Sequence, residues 1–381
     1  MWIYLTREKA YMKFSLPKSR LSACLQNVLQ VVPAKSTLPI LTNVLIEALE
    51  GKIKISATDL DISITASVEC NVSKKGSASL PARILFDIIK ELPESEISFE
   101  ATTQRVEIKI PNGSYKIASI AADEFPKLPA VNTKKEIKVS GTDLVKMIRK
   151  TTFACSDDET RPALNGVLWQ TKGEKMQMVA TDGHRLAKMA VQNSALKGLY
   201  DDVIVPPKVL NLIPKFITDD TQEMGVIFGD TNIIFNLGDT ILTSRLIEGP
   251  YPNFEQVLPS NNDKKLIVSK EDLARAVKRV SILSNQLTHQ VKFALGGGSL
   301  TLSTTNADVG GEGKESLECD YSGDSIELGY NATYINDILN KIESEEVVFE
   351  LSTSVSAGIV YSTEISKDDF LCLVMPLRLA D

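Results

Sequence analysis

The segment Thr181-Asp182-Gly183-His184-Arg185-Leu186 contains a carboxylate and an imidazole, the side chains that most often exchange protons in enzyme sites. Residues two apart on a turn rarely face each other, however. No serine or cysteine nucleophile with a family signature accompanies them. We therefore interpret the segment as a turn that closes a strand, and we expect no catalytic residue in this chain.

The sequence contains few residues that could form a metal or cofactor site. It has two histidines, His184 and His289, and five widely separated cysteines without a Cys-x-x-Cys pair. This pattern indicates neither a zinc site nor a disulfide framework. The run Gly296-Gly297-Gly298-Ser299 lacks the Lys-Ser/Thr of a phosphate-binding loop and is predicted to form a hairpin turn. We expect no metal and no cofactor.

Two helix-like stretches, residues 143–150 and 272–279, carry lysine or arginine at positions i, i+3 and i+4, away from the apolar stripe. On a single helix, a solvated face explains such a pattern. Its repetition on equivalent helices favours a surface whose cations face one polyanion. Phosphate contacts of that kind are independent of nucleotide sequence and sensitive to salt.

The charge is distributed unevenly along the chain. The net charge of −7 argues against a generally basic coat for nucleic acid. Six helix-like stretches nevertheless sum to +8, so the remainder carries −15. These stretches are residues 16–32, 81–92, 141–154, 206–217, 269–284 and 331–342. Positive charge is therefore predicted on helices, and negative charge on strands and loops.

An ordered set of landmarks occurs three times, which indicates an internal repeat. Equivalent strand ends lie 123 and 124 residues apart, at Thr58-Asp59-Leu60, Thr181-Asp182-Gly183 and Thr305-Asn306-Ala307. The helix starts that follow recur every 125 residues, at Leu80, Val205 and Tyr330. A chain of 381 residues exceeds the ~250–300 at which a single core stops growing, so we expect three domains.

The predicted fold class is α+β, with two helices packed on antiparallel sheets in each domain. In the first helix, Leu21, Cys24 and Leu25 follow the spacing of one buried face. The Leu-Pro steps at 128–129 and 258–259 are interpreted as linkers. We predict an N-terminal extension over 1–11 and domains over 12–130, 131–259 and 260–381.

Targeting signals are not evident in the sequence. No apolar run approaches the ~18 residues that span a bilayer. Arg7, Glu8 and Lys9 lie where a signal peptide needs its apolar region. We expect a cytoplasmic protein without a membrane partner.

Several motifs follow one another in a specific order along the chain. They are Met12-Lys13-Phe14, Thr37-Leu38-Pro39-Ile40-Leu41, Thr58-Asp59-Leu60, Arg161-Pro162-Ala163-Leu164-Asn165-Gly166-Val167, Ala180-Thr181-Asp182-Gly183-His184-Arg185-Leu186, Ile282-Leu283-Ser284-Asn285 and Val374-Met375-Pro376-Leu377-Arg378-Leu379. With the triple repeat, they make the chain similar, from Met12 to Leu379, to the bacterial replicative sliding clamps, the beta subunits of DNA polymerase III.

The resemblance implies a non-catalytic processivity factor in which two subunits, joined head to tail, form a ring of six similar domains around duplex DNA. Helices would line the hole and sheets would form the outer wall. The DNA-facing residues are then Lys35 and Arg83, matched to family contacts, together with helix-face cations. These cations are Lys146, Arg149, Lys150, Lys208, Arg275, Lys278 and Arg279. Loose contacts to phosphate would let the ring slide without reading the DNA sequence.

The resemblance also implies a groove that takes a short client peptide with hydrophobic anchors. Its matched positions are Leu164, Thr181, Gly183, His184, Arg185, Leu186, Pro252, Val257, Val374, Met375, Pro376, Leu377 and Arg378. Expected partners are the replicative polymerase catalytic subunit, the clamp-loader complex and clients such as repair polymerases and mismatch-repair proteins. In the homodimer, Tyr115 and Ile117 should pack against Ile282 and Leu283 of the other subunit.

Some positions depart from the family pattern, and two other functions stay open. Lys35 stands where arginine is frequent, which makes bidentate phosphate contact less favourable. Gln256 occupies a groove position that is basic in some relatives, and Ala380-Asp381 extend past the usual end. A triple-repeat scaffold for acidic proteins would keep the basic helices without a closed ring. A hydrolase using Asp182 and His184 would need a pocket.

Overall fold

The computed structural model of the chain describes residues 11–102, 104–129, 136–193, 202–219, 221–307 and 310–379. Most of the predicted N-terminal extension, residues 1–10, lies outside these ranges, as do Ala380 and Asp381. Within the described ranges, no helix has the length and apolar character that crossing a membrane requires.

Six α-helices lie in the described residues, one at each place where the repeat predicts a helix. They are α1 (Lys18–Val28), α2 (Ala82–Glu91), α3 (Gly141–Thr151), α4 (Pro207–Leu210), α5 (Lys270–Ser281) and α6 (Ala332–Leu339). In α1, the predicted stripe of Leu21, Cys24 and Leu25 is buried. The apolar periodicity therefore identified the packed face of this helix.

The helix predicted within residues 206–217 is much shorter in the structure. Only α4 is α-helical, and a separate 3-10 turn covers Ile213–Lys215. Pro214 explains the break, because proline has no N–H to donate and its ring clashes with the carbonyl group four residues earlier. The sequence prediction placed a helix correctly here but made it too long.

The strands alternate with these helices along the chain. The first nine are β1 (Met12–Pro17), β2 (Asn43–Ala48), β3 (Lys52–Thr58), β4 (Ile62–Glu69), β5 (Asn71–Lys74), β6 (Gly76–Pro81), β7 (Glu96–Ala101), β8 (Arg105–Ile110) and β9 (Gly113–Ala118). The next eight are β10 (Ile137–Ser140), β11 (Val167–Lys172), β12 (Lys175–Thr181), β13 (Arg185–Gln192), β14 (Val203–Val205), β15 (Glu223–Phe228), β16 (Asn232–Asn236) and β17 (Thr240–Arg245). The last are β18 (Lys264–Ser269), β19 (Gln290–Gly296), β20 (Ser299–Asn306), β21 (Gly311–Glu318), β22 (Asp320–Ser322), β23 (Ile326–Asn331), β24 (Glu346–Leu351), β25 (Gly358–Ser362) and β26 (Phe370–Val374).

One compact unit comprises the described parts of residues 1–140 and 221–246. It contains a five-stranded sheet with the order β5-β1-β7-β8-β9 and an eight-stranded sheet with the order β10-β15-β16-β17-β4-β3-β2-β6. Phe14 of β1 and Phe99 of β7 stack in its core, with ring centroids 4.8 Å apart. Strand β9 lies at one edge of the five-stranded sheet.

The second unit comprises the described parts of residues 141–220 and 247–381. Its nine-stranded sheet has the order β14-β11-β12-β13-β26-β25-β24-β18-β22, and its four-stranded sheet has the order β21-β20-β19-β23. The strand pairs are antiparallel, as predicted. Pairing of β13 with β26 brings the segment near Arg185 beside the segment near Val374, although 189 residues separate them.

The glycine run at 296–298 forms the predicted hairpin turn. Gly296 pairs with Ser299, so that Gly297 and Gly298 form a two-residue loop between β19 and β20. Both loop residues have positive φ, 59° and 76°, as the tight turns of such hairpins require. This run is therefore a structural feature of the hairpin.

Candidate functional site

A network of short hydrogen bonds holds the loop between β12 and β13. The Asp182 Oδ1 atom accepts from the backbone N–H groups of His184 at 2.8 Å and Arg185 at 2.9 Å. The Thr181 hydroxyl donates to the Arg185 carbonyl oxygen at 2.6 Å and accepts from the Gly183 N–H at 3.1 Å. Gly183 has a φ of 91°, which disfavours any other residue there. The loop therefore presents His184 on a firmly held backbone.

The Arg185 guanidinium lies at the centre of this arrangement, and its side chain is 11% exposed. Its Nε contacts the Asp182 carboxylate at 3.1 Å, its Nη1 contacts Asp337 at 2.5 Å, and its Nη2 donates to the Phe153 carbonyl oxygen at 2.9 Å. The Tyr334 ring lies 4.4 Å from the guanidinium carbon, a cation–π distance. These contacts join the loop to α6 and to the 3-10 turn Thr152–Ala154.

The same geometry argues against an acid–base role for Asp182 and His184. Both carboxylate oxygens of Asp182 are engaged by backbone N–H groups and by the Arg185 side chain, and none of these three bonds involves the His184 ring. Burial raises the pKa of the nearby Cys155 thiol to about 12, so this cysteine is a poor nucleophile near neutral pH. Among the described residues, no group of three or more His, Cys, Asp or Glu side chains is placed to hold a metal.

The C-terminal segment lies directly beside the loop. Val374 of β26 pairs with Arg185 of β13, and the Met375 N–H donates to the His184 carbonyl oxygen at 2.8 Å. Two residues later, the Leu377 N–H donates to the Gly329 carbonyl oxygen at 2.7 Å. The structure therefore brings together two of the predicted groove segments, which are far apart in the sequence.

An apolar cluster lies under these segments. Leu186 belongs to it with Leu168, Val179, Ile204, Phe254, Ala357, Ile359, Leu371 and Leu373, and Ala163, Ile247, Tyr251, Leu258 and Tyr361 pack against it. Phe254 begins the 3-10 turn Phe254–Val257, and Pro252 lines a shallow pocket with the cluster residues Leu168, Ile204 and Phe254. Leu164 and Val374 are buried, whereas Val257 and Met375 are exposed apolar side chains. His184, Pro252 and Arg378 are also exposed, and Thr181, Pro376 and Leu377 are half-buried.

Sequence reasoning missed Tyr334 and Asp337. The two residues are three apart on α6, so they lie on one face of this helix, where both contact Arg185. The Tyr334 ring also stacks on the His184 ring, with centroids 6.5 Å apart. The sequence predicted the helix that starts near Tyr330, but it gave no sign that this helix contacts Arg185. The contact joins residues about 150 positions apart in the chain.

The cations of α3 do not share one environment. Arg149 is exposed and Lys146 is half-buried, but Lys150 is only 2% exposed. The Lys150 ammonium donates to the Lys341 carbonyl oxygen at 2.7 Å, lies 3.3 Å from the Glu343 carboxylate and lies 4.6 Å from the centre of the Phe370 ring. These contacts bury the charged group of Lys150 among residues of its own chain, so they do not support the expectation that it is presented to DNA.

Two cations of α5 are paired with carboxylates in the same chain. Arg275 contacts Glu271, four residues earlier on the helix. Arg279 makes two bonds to Glu315 of β21, from Nε at 2.8 Å and from Nη2 at 2.6 Å. Lys278, between them, is exposed. The three side chains keep their charge at the surface, but the two arginines already have anionic partners.

The other three cations predicted to face DNA are exposed. Lys35 precedes the 3-10 turn Pro39–Thr42, Arg83 lies in the first turn of α2, and Lys208 lies in α4. Lys35 and Arg83 belong to the first compact unit, and Lys208 belongs to the second.

The predicted dimer contacts lie at sheet edges. Tyr115, on the edge strand β9, is 41% exposed, whereas Ile117 is buried within its own unit. Ile282 follows α5 and is 77% exposed, and Leu283 is half-buried. The end of α5 approaches the edge strand β21, because a Cβ at Gly313 would lie 3.7 Å from Leu283 Cδ1. One unit thus exposes Tyr115 on an edge strand, and the other exposes Ile282 at the end of α5.

Three family descriptions match the chain in succession. Residues 12–129 match the N-terminal domain of the DNA polymerase III beta subunit, residues 138–253 match its central domain, and residues 255–378 match its C-terminal domain. The beta sliding clamps of Chlamydia muridarum and of Escherichia coli K12 are each 32% identical over 372 residues. Both alignments cover 97% of this chain and 100% of the relative.

Solved clamp structures have the same fold. The crystal structure of the DNA polymerase III beta subunit from Pseudomonas aeruginosa superposes with a TM-score of 0.92 at 31% identity and covers 96% of this chain and 100% of its own. The sliding clamp from Bacillus subtilis also gives a TM-score of 0.92, at 26% identity, with 97% and 100% coverage. The predicted α+β fold with three clamp domains is confirmed by these comparisons.

Proposed function

The chain belongs to the family of bacterial DNA polymerase III beta subunits, the beta sliding clamps, and we propose that it closes as a head-to-tail homodimeric ring around duplex DNA. As a member of this family it is a processivity factor in DNA replication and a non-catalytic polymerase subunit. One observation carries the proposal: three clamp domains follow one another from residue 12 to 378, over the whole length of the relatives. We assign the domains to 12–130, 131–259 and 260–381, and the site of action to the cytoplasm.

Cations at the surface, most of them on helices, support a DNA-facing surface. We propose that Lys35, Arg83, Lys146, Arg149, Lys208, Arg275, Lys278 and Arg279 face the duplex, and we leave out the buried Lys150. Because phosphates repeat regularly along DNA, one set of loose contacts can be exchanged for the next at little net cost. Topological linkage then provides processivity without tight or sequence-specific binding.

The edge strands and their exposed apolar side chains support ring closure. Strands β9 and β21 each have an unpaired edge within the described chain, and such an edge is a template for pairing with another subunit. Tyr115 on β9 and Ile282 at the end of α5 supply exposed apolar area for this contact. Because the two edges differ, the contact is heterologous, and it closes into a ring only if the rotation permits.

Family membership implies association with the DNA polymerase III holoenzyme. We propose that its catalytic subunit, the clamp loader, repair polymerases and mismatch-repair proteins insert a peptide at the surface around His184, Val257 and Met375. We call this surface the client groove and include in it all the matched positions named above. Exposed apolar side chains over an apolar cluster provide anchoring sites for such a peptide.

The proposed function is tested by retention on nicked circular DNA after loading with the cognate loader and ATP. We expect the protein to stay on the circle and to leave once a single cut makes the DNA linear. Loader activity is verified in parallel with another clamp. Equal retention on circular and linear DNA would indicate ordinary surface binding and would favour a scaffold that binds polyanions.

A further inference from the structure

We propose that Asp337 is a positioning residue for the client groove and that it acts through Arg185. This inference rests on the proposed function of the groove and adds a residue from α6 that the groove does not include. The side chain of Asp337 lies 2.5 Å from Arg185 Nη1 and is partly exposed. Among the described residues, it is the carboxylate of α6 that reaches the loop between β12 and β13.

Each nitrogen of the Arg185 guanidinium has an acceptor on a different part of the fold. Nε bonds Asp182 in the loop, Nη1 bonds Asp337 on α6, and Nη2 bonds the Phe153 carbonyl oxygen on the 3-10 turn. A guanidinium is planar with donors in a fixed fork, so three such acceptors determine its orientation. Tyr334, one turn before Asp337, covers the face of the same group.

The orientation of Arg185 matters for the loop because Asp182 performs two functions. Its Oδ1 holds the N–H groups of His184 and Arg185, while its Oδ2 holds the Arg185 Nε. If Asp337 no longer holds Nη1, the guanidinium can turn away from Asp182, and the loop loses a restraint. The His184 carbonyl oxygen accepts the hydrogen bond of the Met375 N–H. Greater freedom of the loop is therefore transmitted to the C-terminal segment of the groove.

A more flexible groove must become ordered when the peptide binds. The free-energy cost of this ordering makes the net binding free energy less favourable. Loss of Asp337 should therefore weaken peptide binding without removing any anchoring side chain. The conformation of the empty groove, rather than the contacts in the complex, is the property that Asp337 controls.

The test measures the affinity of a fluorescent peptide that carries the clamp-binding motif of the polymerase catalytic subunit, using the full chain. Asp337→Asn should raise Kd about threefold to tenfold with an unchanged melting temperature. Asp337→Glu, which restores the carboxylate, should return the Kd to within about twofold of wild type. Glu345→Gln is the matched control, because it removes an exposed carboxylate beyond α6 and should leave the Kd unchanged.

A double-mutant cycle separates positioning from direct contact. If Asp337 acts through Arg185, then Asp337→Asn should cause no further loss in the Arg185→Lys background. Additive losses would mean that Asp337 contacts the peptide itself and would overturn the inference, as would an unchanged Kd for Asp337→Asn. Failure of the wild-type protein to bind the peptide would overturn the proposed client groove, and the role of Asp337 with it. If the wild-type protein binds, a negative result for the variants overturns only the role of Asp337.

Discussion

The ammonium nitrogen of Lys150 lies 2.7 Å from the backbone carbonyl oxygen of Lys341, so that a cation of α3 is bonded to the segment that follows α6. The adjacent Arg149 points to solvent. These neighbours share a charge and a place in the sequence pattern, yet one is part of the interior and the other is part of the surface. Their substitution should therefore have opposite effects.

Lys150→Ala should lower stability and leave DNA binding unchanged. The substitution removes the donor to the Lys341 carbonyl oxygen and the contact with the Phe370 ring, at a cost of about 1–3 kcal/mol. The urea midpoint of the unit that contains α3 should fall, and the affinity for a linear duplex should not change.

Arg149→Ala is the matched control and should show the reverse pattern. As an exposed side chain it should change stability by no more than about 0.5 kcal/mol. The slope of log K against log salt for duplex binding should fall in magnitude by about 1, as expected for one lost phosphate contact. A lower salt slope for Lys150→Ala would restore Lys150 to the DNA-facing set.

The stability contributed by Lys150 should depend on pH in the alkaline range. Burial lowers the pKa of Lys150 below its usual 10.5 in the folded protein. Between the lowered pKa and about 10.5, the unfolded chain holds more protons than the folded chain, so stability rises with pH. Melting temperatures of wild type and Lys150→Met, compared from pH 8 to 10, should move in favour of the wild type as the pH rises. A difference in melting temperature that stays constant over this pH range would contradict a lowered pKa of Lys150 in the folded protein.

The contrast between Arg149 and Lys150 shows where sequence reasoning stops. Apolar spacing reports which face of an element packs, and together with the ordered landmarks of the repeat it located the six helices. It could not report that the segment after α6 would lie over Lys150, because that contact spans 191 residues. For the same reason the motif around His184 was found, whereas Tyr334 and Asp337, which approach it from α6, were not. Pro214 was visible in the sequence, and its effect on α4 was a local error.

Met375→Ala combined with Leu377→Ala should weaken client-peptide binding by tenfold or more and leave the dimer mass unchanged. Met375 is exposed beside the loop that carries His184, and truncation of a side chain that anchors a bound peptide costs on the order of 1–2 kcal/mol. Peptide titration and sizing by light scattering check the two parts. Leu287→Ala, which shortens another exposed apolar side chain, is the control. An unchanged peptide Kd in the double variant would remove these residues from the groove.

Ile282→Asp should convert the dimer to a monomer while peptide binding persists. The side chain is 77% exposed at the end of α5, next to Leu283, and a charge buried there on assembly would be unpaired. The mass measured by light scattering at micromolar concentration should fall by half. Val257→Asp provides the reciprocal control, because it should abolish peptide binding and retain the dimer mass. A dimer that survives Ile282→Asp would place the subunit contact elsewhere.

Glu271→Gln should strengthen duplex binding, because it frees the Arg275 guanidinium from its partner in the same helix. The released cation can then bond a phosphate, which should raise the salt slope by about 1 in magnitude.

Any lost carboxylate also makes the protein less negative. Glu345→Gln, at an exposed position beyond α6 and away from the proposed subunit contact, therefore measures that general effect. Any gain in duplex affinity beyond that general effect must vanish in the Glu271→Gln/Arg275→Ala double variant, if it depends on Arg275. If the double variant keeps the gain, Arg275 is not the DNA contact, and Glu271 acts only through the overall charge. If the gain depends on Arg275, the carboxylate of Glu271 competes with phosphate and keeps each DNA contact weak enough for the ring to slide.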